Sequence, residues 1–122
     1  MDQSSANSPY KTEVLNVCLK RCLDAYKDCW VNILDCLKKG DTYISSKNLA
    51  QLYSSAEVCE SNLLYLVYNS NQFISSAMIT NMICTNTVKL CQKFDEPLMD
   101  RCAQSMKLFA DSCQKLVPPA QS

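Results

Sequence analysis

Nine cysteines punctuate the 122-residue chain: Cys18, Cys22, Cys29, Cys36, Cys59, Cys84, Cys91, Cys102 and Cys113. Five methionines add thioether sulfur, and there is no histidine. Such a soft donor set selects Cu(I), zinc or iron–sulfur clusters over hard cations. Zinc and cluster sites usually present thiolates as C-x-x-C knuckles, and no such pair occurs here. Cu(I) accepts two thiolates in a line, which cysteine pairs on one helix or across a bundle can supply. Cu(I) is therefore the best chemical match. Cys18 and Cys22 form a C-x-x-x-C pair on one helix face, which brings both sulfurs near one ion but suits a disulfide poorly.

Other chemistries are excluded by composition. Without histidine there is no Ser-His-Asp or Cys-His catalysis and no imidazole-ligated zinc or haem. A single glycine, Gly40, leaves no glycine-rich phosphate cradle. Twelve basic and twelve acidic residues give zero net charge, with no basic run to draw nucleic acid. The carboxylates are scattered, with Lys20 beside Asp24 and Lys27 beside Asp28, and offer no paired acid–base site. A thiol oxidoreductase normally needs C-x-x-C or an activating base. The chain is accordingly not read as an enzyme.

The elements that must position these sulfurs are helices. Ser8-Pro9 offers an N-cap and a first helical residue, and a first helix is expected from about Tyr10 to Lys39, closed by Gly40. Asp41 or Thr42 can cap a second helix reaching about Tyr68, and Asn69-Ser70-Asn71 breaks the chain again. A third helix is expected to end near Phe94, before Asp95-Glu96-Pro97, and a fourth to cover about Leu98 to Leu116. Short connections between long helices predict an all-α, antiparallel up-down four-helix bundle over 10–117. Residues 1–9 and 118–122 are expected to be flexible.

Bundle cores are lined by positions alternately three and four apart. One register per helix takes in every cysteine. The series are Cys18, Cys22, Ala25, Cys29, Asn32, Cys36; Leu49, Leu52, Ala56, Cys59, Leu63, Leu66; Phe73, Ala77, Thr80, Cys84, Thr87, Cys91, Phe94; and Met99, Cys102, Met106, Phe109, Cys113, Leu116. All nine thiols should face inward. Cys59, alone on its helix, needs a partner from another. Met106, between Cys102 and Cys113, is a candidate thioether ligand, whereas Met78 and Met82 read as core filler.

No secretory h-region or membrane-length apolar run is visible, so a soluble cytosolic protein with reduced thiols is expected. The odd cysteine count fits a closed disulfide framework poorly, which leaves a disulfide-stapled secreted module as a minor alternative. Between Thr42 and Val88 only Lys47, Glu57 and Glu60 are charged, and Leu63 to Tyr68 is apolar almost all round. A helix apolar on every side needs cover on every side, which points to a homo-oligomer, dimer or tetramer.

The chain resembles the cysteine-rich four-helix-bundle copper storage family over about Tyr10 to Leu116. The fourth helix carries the likeness most clearly, where the family's Cys-Ala-x-x-Cys-x-x-Cys-Ala-x-x-Cys repeat becomes Cys102-Ala103-x-x-Met106-x-x-Phe109-Ala110-x-x-Cys113. Ala56-Glu57-Val58-Cys59 is similar to the Ala-x-x-Cys element of the second helix. The resemblance implies cytosolic storage or buffering of Cu(I) by an oligomeric bundle. Ala25, Ser55, Thr87, Met106 and Phe109 stand where that family would place ligands, so the ladder is thinned. At about two thiolates per ion, nine cysteines would hold roughly four Cu(I). The alternative is a metal-free interaction bundle that kept the fold, with buried cysteine as core filler.

Overall fold

The computed structural model describes residues 12–117, so the Ser8-Pro9 start and the expectation for residues 1–9 and 118–122 fall outside the described residues. The described residues form four helices: α1 (Thr12–Lys39), α2 (Ser46–Val67), α3 (Gln72–Cys91) and α4 (Pro97–Leu116). Each packs against its neighbours in sequence, and α4 returns to α1, which gives the up-down bundle.

Local chemistry sets the turns. Gly40 holds φ +87° and its N–H reaches the Cys36 carbonyl at 3.1 Å, an αL cap that any side chain would strain. Helix α2 starts later than Asp41 or Thr42, because Ser45 is the residue whose hydroxyl accepts from the Asn48 N–H. At its other end Asn69 takes φ +52°, and the Ser70 N–H reaches back to the Tyr65 carbonyl at 2.8 Å. Helix α3 stops at Cys91 rather than Phe94, and Pro97 occupies the first turn of α4. Lys39 ties the end of α1 to the start of α4 through Glu96, and pairs with Asp35 at 2.9 Å. On the outer face Lys20 meets Asp24 at 3.1 Å, whereas Asp28 accepts a hydrogen bond from Ser105 on α4.

Every seam residue expected on α1 and α4 is buried. On α2 and α3 the pattern drifts. Ser55 and Asn62 enter the core while Leu49, Leu63 and Ala77 are only half-buried. An α-helix has 3.6 residues per turn, so a strict 3.5 repeat slides around its surface by about 20° per heptad. Met78 and Met82 are 82% and 55% exposed, so the core-filler reading of these two is corrected.

Candidate metal centre

All nine cysteines are free thiols and all are buried, most of them completely. Helix α1 supplies Cys18, Cys22, Cys29 and Cys36, α4 supplies Cys102 and Cys113, α3 supplies Cys84 and Cys91, and α2 supplies Cys59. Antiparallel packing of α1 on α4 sets their sulfurs opposite one another. Cys29 Sγ lies 3.7 Å from Cys102 Sγ and 3.6 Å from Met106 Sδ. Met106 Sδ also stands 4.0 Å from Cys59 Sγ, so the thioether bridges the α1 and α2 thiols. Cys113 is hydrogen-bonded with Cys18 nearer the other end. Cys22 donates to the Cys59 carbonyl at 3.2 Å. Beyond Cys102, Cys91 joins the same group, and Cys36 follows near Asn32.

The thiols do not titrate alike. Burial pushes Cys22 and Cys84 well up, and the neighbouring Cys59 sulfur adds to it. Cys29 rises chiefly through its hydrogen bond to Cys102, and Cys91 does the same. Cys102 is held far below the ordinary thiol range, because Cys29 first, then Cys91 and the Asn32 amide, hydrogen-bond to its sulfur. Among the described residues no three His, Cys, Asp or Glu side chains converge on a single point. The arrangement is one of sulfur pairs with a thioether between them, which suits the low coordination number of Cu(I).

Part of the core carries no sulfur. Between α2 and α3, Asn62 donates to Thr80 at 2.7 Å and accepts from Ser76 at 2.7 Å. Ser55 and Thr87 share a hydrogen bond, and Gln51 donates to Thr87 at 3.1 Å. On α1, Asn32 donates to Met99 Sδ at 3.2 Å. Phe109 is fully buried within the α4 row. The seam already included Thr80 and Thr87, but not their partners Asn62, Gln51 and Ser55, nor Ser76, which donates to Asn62. Those sit off any ideal repeat and become visible only when two helices meet.

The model of the family described as copper storage protein matches residues 11–118 of this chain. Among solved structures, the Nmul_A1745 protein from Nitrosospira multiformis superposes with a TM-score of 0.78 at 24% identity, covering 85% of this chain and 94% of that one. A Cu(I)-bound copper storage protein, BsCsp3, superposes with a TM-score of 0.80 at 19% identity, covering 86% and 99%. Both share the bundle fold. No curated protein matches the sequence at a significant level.

Proposed function

The chain belongs to the copper storage protein family, and from that premise we propose that it binds Cu(I) through its core thiolates and holds the metal as a store or buffer. One observation carries this reading: nine free thiols, all buried, line one bundle core without disulfides between them. Alanine, valine or leucine would fill the same space without the risk of oxidation. Family membership also argues for storage rather than catalysis, and a store returns its cargo unchanged.

The ligand set comprises Cys18, Cys22, Cys29, Cys36, Cys59, Cys84, Cys91, Cys102 and Cys113, with Met106 as a neutral thioether. Cys29, Cys102 and Met106 form its centre, since their sulfurs lie within 3.7 Å of Cys29. A Cu(I) held by two thiolates bears one net negative charge, which is costly in a low-dielectric interior. Thiolates that bridge neighbouring ions reduce that charge per metal, so filling is expected to run along the column as linked clusters. The polar pairs Ser55–Thr87 and Asn62–Thr80 offer no soft donor, which limits capacity on the α2–α3 side. The metal-free alternative draws its support from those same pairs.

Self-association is part of the reading. Leu64, Val67, Tyr68, Ile79 and Met82 are each more than half exposed on α2 and α3 or just beyond. Exposed apolar side chains of this number on two neighbouring helices favour a second copy of the chain. Among the described residues no helix is long and apolar enough to cross a membrane.

Anaerobic titration of the reduced protein with Cu(I) against a competing chelator tests the central assignment. Tight uptake of several equivalents is expected, and uptake no greater than that of a cysteine-free variant overturns it.

A further inference from the structure

Buried ligands need a way in, and both ends of the sulfur column are capped. At the Cys36 end the rings of Tyr43 and Phe94 pack with centroids 5.2 Å apart, and the Lys39 ammonium sits 4.5 Å over Tyr43. At the other end Phe73, Leu66 and Leu116 fill the core, behind the Asn62–Thr80–Ser76 hydrogen bonds. The flank is different. A groove of about 460 Å³ runs between α3 and α4, and Cys84 is one of the residues that line it. Its walls include Lys89, Lys107, Asp111, Val88 and Ala110. That volume lies within the range typical of small-molecule sites.

Two properties single out Cys84. The residue is only 1% exposed, so it belongs to the core, yet it borders the groove. Cys84 also lies close enough to Cys22, Cys59, Cys102 and Cys113 for their sulfurs to interact electrostatically. An ion received at Cys84 is therefore within reach of both halves of the column. The groove carries two lysines against one aspartate, and among the described residues neither lysine makes an ion pair. A cationic rim above a thiol is complementary to an anionic metal complex.

Resting on the copper-binding reading above, we propose that the α3–α4 groove is the docking site of the copper donor, an anionic Cu(I) bis-thiolate complex of a small thiol, and that Cys84 is the first residue to take the ion. The transfer is a ligand exchange without redox change. A bond forms between Cys84 Sγ and copper as one donor Cu–S bond breaks. The Cys84 proton passes to the departing thiolate, which leaves as a neutral thiol, and copper remains Cu(I). A second exchange with the Cys59 or Cys22 thiol releases the other donor ligand in the same way.

The test compares loading rates from two donors, the Cu(I)–glutathione complex and the cationic Cu(I)–acetonitrile complex, by anaerobic stopped flow. Lys89→Glu/Lys107→Glu is expected to slow uptake from the glutathione complex roughly tenfold relative to wild type, with no such loss from the acetonitrile complex. Lys20→Glu/Lys38→Glu, an equal charge change away from the groove, is expected to load at the wild-type rate. Cys84→Ser is expected to remove the fastest phase with either donor. Wild-type rates in the groove variant overturn the proposal, as does equal slowing in the control variant, which would make the effect one of net charge. If wild type takes up no copper from either donor, the storage reading fails and this one with it; if wild type loads and only the groove predictions fail, the storage reading stands.

Discussion

Cys29 Sγ lies 3.7 Å from Cys102 Sγ across the α1–α4 interface, with Met106 Sδ 3.6 Å from Cys29. Two thiols and a thioether therefore meet across the α1–α4 interface. Cys29→Ser/Cys102→Ser should lower Cu(I) capacity by about one equivalent at two thiolates per ion. Met106→Leu conserves volume and should weaken copper held there while leaving the thiol count, and hence capacity, nearly unchanged. Chelator competition on the two variants separates loss of sites from loss of affinity.

Copper must displace protons. Burial raises Cys22 and Cys84, so these two apo thiols are neutral at pH 7, and a bis-thiolate site built from such raised thiols releases two protons on filling. Apparent affinity should then fall by about 100-fold for each pH unit lowered, read by competition titrations between pH 6 and pH 8. Most sites should approach this slope. A site using Cys102, which is held low by its hydrogen bonds from Cys29 and Cys91, should show a shallower one.

The same shifts set apo stability. A thiol whose folded pKa is raised contributes stability that is full below the unfolded value, 9.0, and is lost as pH rises toward the folded value. Cys22, Cys29, Cys84, Cys91 and Cys113 all act in this direction. Cys102 opposes them, since its depressed pKa gives stability that is lost as pH falls below 9.0. The apo Tm should hold at neutral pH and drop above pH 9, and Cu(I) loading should raise it at every pH.

Refilling the ladder tests why it is thinned. Ser55 and Thr87 are hydrogen-bonded partners, so replacing both with cysteine removes that pair together and leaves the half-buried Gln51 amide a sulfur in place of the Thr87 hydroxyl. Ser55→Cys/Thr87→Cys should add about one Cu(I) equivalent. By contrast, Asn62→Leu leaves the buried Thr80 hydroxyl without the Asn62 donor, while Ser76 keeps the Phe73 carbonyl as acceptor. It should cost about 1–3 kcal/mol of unfolding free energy in urea titrations.

The exposed apolar strip gives an assembly prediction. Light scattering should report a multiple of the 13.7 kDa chain. Leu64→Lys/Val67→Lys, at positions 55% and 57% exposed, should shift it toward the monomer without loss of helicity.

Much of this was legible in the sequence because helical spacing and cysteine burial are local signals. The α1 and α4 seams follow from the 3–4 rhythm alone, and Gly40 and Pro97 mark real helix ends. Family likeness rested on the same spacing in α4. Three features were hidden. Helical drift brought Ser55 and Asn62 inward in place of Leu63, a change of register that no single window reveals. Met78 and Met82 lie outside, because their apolar character does not distinguish a core face from an uncovered one. The groove beside Cys84 exists only once α3 and α4 are placed side by side.

The most direct test of the account is native mass spectrometry of the reduced, anaerobically loaded protein, with reactive thiols counted before and after loading. We expect roughly four Cu(I) per chain, at about two thiolates each, with nearly all nine thiols consumed. Retention of no more copper than a cysteine-free variant, with all nine thiols still reactive, would contradict it.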